Sequence, residues 1–219
     1  MTATFYGVIM GTVISISFLI SLIVSRHIIK NEFSPSAIKI DISIEKMTDL
    51  ENEISSFFAT NNIIPGASIQ IIAEKLSIEK GDVIKGQEDQ AYLNKPNGSG
   101  KMVVTFTDGL TQEEMTFAFA HECAHQLNHD EVPIGRPVGR GKPEIEQFAD
   151  YTAAALLMPI DDVYSRLIES NYKGISTRKK AAFIKKLCKV YHVSEIIVIR
   201  RIREVYSVKE YNVARKQIH

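Results

Sequence analysis

Three features of this chain predict an α+β fold. Histidines recur four residues apart, at His121 and His125, inside an apolar and cappable helical segment. Just upstream, two β-type runs, Ala91-Tyr92-Leu93 and Met102-Val103-Val104-Thr105-Phe106, flank a turn-rich stretch. Most of the remainder shows helical periodicity, and the chain opens on an uncharged apolar stretch. At 219 residues, 45% hydrophobic and 24% charged, the composition suits one globular domain plus an appendage. Formal net charge is zero, so bulk charge does not advertise nucleic acid. Cys123 and Cys188 are too few for a disulfide scaffold, which favours a reducing compartment.

From Phe5 to Val24 no residue is charged. About 20 apolar residues cross a bilayer core, so residues 1–30 are expected to be a transmembrane helix and its flank. A cleaved signal peptide would want a charged start, a shorter apolar core and a small-residue cleavage site. No Lys or Arg precedes the span, whereas Arg26 and Lys30 follow it. The positive-inside tendency then puts the carboxyl side in the cytoplasm, as a single-pass membrane protein. Gly7, Gly11 and Ser15 form a small-residue row that would permit close helix pairing in a homodimer.

Residues 31–66 read as a linker and a first helix. Ser34-Pro35-Ser36 marks the linker, and Ile44, Met47, Leu50, Ile54, Phe57 and Phe58 fit one helical face. Asn61-Asn62 and Pro65-Gly66 then break the chain. Residues 67–172 are expected to form the central core. It starts with a short helix that turns Ile69, Ile72, Ala73 and Leu76 inward. The two β-type runs follow as a hairpin around Pro96, Asn97, Gly98 and Gly100. An exposed strand there could bind extended substrate by main-chain pairing.

The next helix carries the chemistry. Thr111 and Glu114 suit a capping box. Met115, Phe117, Ala118, Phe119, Ala120, Ala124 and Leu127 supply the apolar side. Residues four apart share a helix face, so His121 and His125 can reach one metal ion. Glu122 stands between them, where a carboxylate can take a proton from water at such an ion. A catalytic zinc usually has three protein ligands. Glu146, on a helix expected to start near Pro143, supplies the third, with Glu144 as the rival. Asp150 lies four residues after Glu146 and suits an acceptor for the far ring nitrogen of a ligand histidine. His129 continues the row, but three histidines at i, i+4 and i+8 span about 12 Å and cannot share one ion. The three-histidine pattern also needs glycine at 128 and histidine at 131, where Asn128 and Glu131 stand. Cys123 points off the histidine face and reads as a small buried filler.

The run from Phe119 to His129 resembles the zinc helix of the ImmA/IrrE family of metallopeptidases. The run from Glu146 to Pro159 resembles that family's second signature, a Glu-x-x-Ala-Asn/Asp element leading into an alanine-rich helix that ends in Leu-Leu-Met-Pro. The likeness covers roughly residues 60–205. Cys123 and Ala124 depart from the common Leu-Gly, and Thr152 from a common phenylalanine. The resemblance implies a zincin-like catalytic domain with a small sheet beside the His-Glu-x-x-His helix. It implies Zn2+ held by His121, His125 and Glu146, with Glu122 as catalytic base. It also implies a cytoplasmic regulatory protein as substrate, often a helix-turn-helix repressor.

Between the two metal helices, Asp130 to Pro143 interleaves prolines and glycines with Arg136, Arg140 and Lys142. A long irregular loop there is expected to contact substrate, with Arg136 and Arg140 as the candidate residues. The oxyanion-stabilising group has no assignment; His129, Tyr151, Arg136 and Arg140 are candidates by type and sequence proximity alone.

Residues 173–219 form a basic carboxyl-terminal subdomain. From residue 176 onward it holds 12 Lys/Arg against 3 Asp/Glu, whereas residues 41–90 hold 4 Lys against 10 Asp/Glu. Thr177–Tyr191 reads as one helix. Ser194 caps a second short one through Ile196, Ile197, Ile199, Ile202 and Val205, a helix-turn-helix-like pair. A cap packed on the core is favoured over DNA binding, because no base-reading set is identifiable. Two rival functions stand beside proteolysis. One is a zinc-binding regulator that cleaves nothing; the other is a membrane-tethered, antitoxin-like interaction module.

Overall fold

The computed structural model describes residues 42–85, 91–94, 100–128 and 144–218. The expected membrane span, His129, and the loop with Arg136 and Arg140 lie outside the described residues. Among the described residues no helix is long and apolar enough to cross a membrane. Residues Asp41–His219 form one compact unit, and the architecture is α+β.

Seven helices and three strands follow one another in the described residues: α1 Ile44–Asn61, α2 Ile69–Lys75, β1 Ile78–Ile84, β2 Ala91–Asn94, β3 Met102–Thr107, α3 Gln112–Leu127, α4 Glu144–Leu157, α5 Ile160–Glu169, α6 Thr177–Tyr191 and α7 Glu195–Ile218. Ser43 caps α1 by accepting the Lys46 amide N–H, and Asn62 ends it in the left-handed region. The buried face of α1 is Met47, Leu50, Ile54 and Phe58, with the charged Glu51 among them. In α2, Ile69, Ile72 and Ala73 are buried as their spacing predicts, while Leu76 follows the helix as its cap.

The sheet runs in the order β1-β3-β2. The expected hairpin partners pair antiparallel, Leu93 opposite Val104 and Ala91 opposite Phe106. A strand that the sequence did not announce, β1, pairs parallel on the other side of β3. Only its first residue is buried, so it lacks the alternation that marks a half-buried strand. Its register shifts between Lys80 and Val83. Gly81 sits in that bulge, where an added Cβ would come within 2.5 Å of Val103 Cγ1. Val104 and Phe106 point into the core, and Phe106 meets Phe119 of α3 edge-on at 6.1 Å. The sheet is thereby fixed against the histidine helix.

Around this core α3 and α4 pack along one another, and α1 lies on α4. Thr152 Oγ1 donates to Asn128 Oδ1 at 3.4 Å, tying the end of α3 to the middle of α4. Met158-Pro159 stops α4, and α5 buries Ile160, Val163 and Leu167 at helical spacing. Helix α6 has the expected bounds. The second carboxyl-terminal helix does not stay short: α7 runs 24 residues and packs against α1, α4, α5 and α6.

Arg201 of α7 locks these elements together. Its side chain is fully buried. Nη1 lies 2.7 Å from Glu51 Oε1 of α1, and Nε donates to the Met158 carbonyl at the end of α4, at 2.9 Å. Its guanidinium also stands 5.4 Å from the centroid of the Tyr151 ring, whose hydroxyl donates to the same Glu51 oxygen at 2.7 Å. A buried charge costs several kcal/mol to desolvate, and removing one partner strands the other. Arg201→Met is therefore expected to destabilise the fold by about 3–5 kcal/mol, read as a lower midpoint in urea with an unchanged slope. A midpoint within error of wild type would contradict this.

Candidate metal centre

The site is built from one turn of α3 and the first two turns of α4. The capping box at the start of α3 is formed in full. Thr111 Oγ1 accepts the Glu114 amide N–H at 3.2 Å, and the Thr111 amide donates to Glu114 Oε2 at 2.8 Å. Donation from the Thr111 amide and hydroxyl to Glu114 Oε2 pulls that carboxyl below its ordinary range. The reciprocal pair fixes where the helix begins, and so which face carries positions 121 and 125. On the same helix Ala120, Cys123 and Ala124 are fully buried. Burial raises the Cys123 thiol well above its ordinary value, so it remains a protonated packing group. On α4, Ala149, Ala153, Ala154 and Ala155 are fully buried as well.

Three donor atoms converge between the helices. His121 Nε2 lies 3.0 Å from His125 Nε2 and 3.1 Å from Glu146 Oε2, and His125 Nε2 lies 3.6 Å from Glu146 Oε1. The imidazole rings stand edge-to-face, 4.7 Å apart with an interplanar angle of 84°. A tetrahedral ion with nitrogen and oxygen ligands at about 2.0–2.2 Å holds its donor atoms roughly 3.3–3.5 Å apart. The observed spacings bracket that length, and the donors all come from groups that bind metals. Among the described residues these three form the group able to hold an ion. Glu144 is exposed in the same first turn and is not part of that group.

Asp150 completes the arrangement from behind. Its Oδ1 lies 3.0 Å from His121 Nδ1. A carboxylate there holds the ring proton on Nδ1 and leaves the Nε2 lone pair directed at the donor cluster. Burial opposes protonation of His121, but Asp150 and Glu146 outweigh it and raise its pKa to about 9. Half-buried Glu122 lies between the histidines in sequence and adds to the negative field at His121.

Tyr151, one candidate for oxyanion stabilisation, is withdrawn from that role. It is fully buried, and its hydroxyl is committed to Glu51. Burial also lifts its pKa far above the ordinary phenol range. Two residues of α7 escaped the sequence reading. Arg200 Nη1 lies 3.4 Å from Asp150 Oδ2, and Arg200 Nε donates to Glu204 Oε1 at 2.8 Å. The available signal was a charged i, i+4 pair inside an apolar run, on a helix read only as part of a basic cap on the core.

The comparisons with known proteins agree with this geometry. The family model described as the IrrE N-terminal-like domain, Peptidase_M78, matches residues 66–203. That span takes in the sheet, the donor cluster and the start of α7 through Arg200 and Arg201. No curated protein matches the chain. With more than half of its length covered, and with the histidines and glutamate of a metal-dependent peptidase brought to one point, the chain belongs to the IrrE N-terminal-like Peptidase_M78 family.

Proposed function

We propose that this protein is a zinc-dependent endopeptidase. The observation that carries the reading is the convergence of His121, His125 and Glu146, whose ligand atoms lie within 4.8 Å of one another, with Glu122 adding to the negative field at His121. His121, His125 and Glu146 would hold the ion, and three protein ligands leave a fourth position open, as in catalytic rather than structural zinc sites. The chemistry a zinc ion supplies in such a site is Lewis acidity, toward a carbonyl oxygen and toward water. Glu122 accepts a proton from the water that adds to the scissile carbonyl carbon. When the C–N bond breaks, the same carboxyl delivers that proton to the leaving nitrogen. Asp150 keeps the His121 ring in the tautomer and plane that ligation requires.

The substrate is proposed to be a cytoplasmic regulatory protein, such as a helix-turn-helix repressor. Support for this part is the family alone. The catalytic domain is proposed to be tethered by a transmembrane helix over Phe5–Val24, facing the cytoplasm. Support for that is the uncharged span followed by Arg26 and Lys30. The Asp130–Pro143 loop is proposed to contact substrate through Arg136 and Arg140.

Two variants test the chemistry. Glu122→Gln should keep wild-type zinc content and lose about 10²–10⁴-fold in kcat against a cleavable target. His125→Ala should lose the metal itself, as measured by atomic absorption after dialysis. A Glu122→Gln enzyme that cleaves at the wild-type rate would refute the assigned base. Zinc missing from wild-type protein would refute the metal reading.

Fractionation tests the tether. Full-length protein should pellet with membranes and resist high-salt extraction, and deletion of residues 1–30 should release it to the supernatant. Recovery of the full-length chain in the supernatant would count against an anchor.

A further inference from the structure

The donor cluster is backed by a chain of alternating charges whose members beyond Asp150 the proposed reaction does not use. It starts at His121 Nδ1 and runs through Asp150 to Arg200 of α7, with Nη1 3.4 Å from Asp150 Oδ2. Arg200 Nε is held 2.8 Å from Glu204 Oε1, one turn further along the same helix. Glu204 is fully buried and its second oxygen lies 3.5 Å from Arg201 Nη1. Arg201 ends the chain at Glu51 of α1. Burial raises the Glu204 carboxyl above its ordinary range even between two guanidinium groups. A fully buried carboxylate is costly, and this one holds the guanidinium that reaches behind the metal ligands.

We infer that Arg200 is a positioning residue for the metal centre, acting through Asp150 on His121, so that α7 is an integral part of the site. The inference rests on the zinc reading above. An aspartate that accepts from a ligand histidine with one oxygen still turns about its terminal torsion, which is broad for a carboxylate. A guanidinium on the other oxygen fixes the carboxylate plane, and with it the direction of the Nε2 lone pair. Arg200 suits the task because its planar fork engages Glu204 and Asp150 with two different nitrogens. Lysine would place one charge there without the fork. Among the described residues Arg200 pairs with Asp150 and Glu204, and the effect inferred for it on His121 passes through Asp150.

The test uses the full-length protein in detergent, with zinc affinity measured by chelator competition. The absorption spectrum of the cobalt-substituted protein serves as a second readout of ligand geometry. Loss of a supporting hydrogen bond behind a metal ligand typically costs about 10–100-fold in affinity. Arg200→Met is expected to weaken zinc binding by about tenfold and to shift the cobalt bands. Arg200→Lys should recover part of the affinity, and Asp150→Asn should weaken binding at least as much as Arg200→Met. In the Asp150→Asn background, Arg200→Met should cost little more, because the path is already cut.

Wild-type affinity and an unchanged cobalt spectrum in Arg200→Met would overturn the proposal. So would losses that multiply in the double variant, since Arg200 would then act by another route. If Arg200→Met does not fold, as judged by its circular dichroism melt, Arg200→Lys carries the test. It should bind zinc measurably more weakly than wild type, and equal affinity overturns the proposal. Wild-type protein that binds no zinc would instead bring down the zinc reading, and this inference with it.

Discussion

The structure is organised around one electrostatic demand: three Lewis-basic groups, from two separate helices, with neighbouring donor atoms 3.0–3.6 Å apart. Lone pairs do not gather at that spacing unless a cation or a proton lies among them. The rise of the His121 pKa to about 9 expresses the same demand in protonic form, as the cluster draws in positive charge. Much of the neighbouring packing serves this convergence. Helices α3 and α4 pack along one another, the capping box sets where α3 starts, and Phe106 meets Phe119 of the same helix edge-on.

Such a cluster needs rigid support, and the chain provides it with charge rather than with apolar packing alone. Asp150, Arg200, Glu204, Arg201 and Glu51 alternate in sign from the site to the first helix. An apolar replacement of this set could match its stability, because desolvation offsets much of the pairing energy. What apolar residues could not supply is direction. Arg200 donates to Glu204 and Asp150 along defined N–H axes, and Asp150, the first member of the row, lies 3.0 Å from His121 Nδ1. Arg201 and Tyr151 share Glu51, so α1, α4 and α7 meet at one carboxylate. The elements flanking the core in sequence are thus built into the support of the metal centre.

The parts of the site that could be read from the sequence are those encoded locally. His121 and His125, and likewise Glu146 and Asp150, declare themselves because a helix turns i and i+4 to one face, and each pair lies within a single helix. Arg200 was hidden because its significance is a contact fifty residues away in the chain. Glu51 was hidden for a related reason. It stands inside the apolar face of α1, where a lone carboxylate reads as a surface residue until its partner on α7 is known. The fold shows the same division. Hairpin partners β2 and β3 were legible, whereas β1 carries almost no alternation and depends on parallel pairing with a strand beyond β2. Helix α5 could have been read from Ile160, Val163 and Leu167, but Met158-Pro159 drew attention to where α4 stops.

The carboxyl-terminal helices show why a count of basic residues misleads. A helix-turn-helix reads DNA with the amino-terminal part of its second helix, laid in the major groove. Here that part of α7 turns Val198, Ile199, Arg201 and Ile202 into the protein. Two of the arginines that make this region look basic, Arg200 and Arg201, are spent on Asp150, Glu204 and Glu51. The cations left facing solvent belong mainly to α6, where Arg178, Lys179, Lys185, Lys186 and Lys189 are exposed. A polyanion would meet α6 first. One face of α7 is committed to packing on α1, α4, α5 and α6, while Glu195 and Ile196 at its start stay exposed.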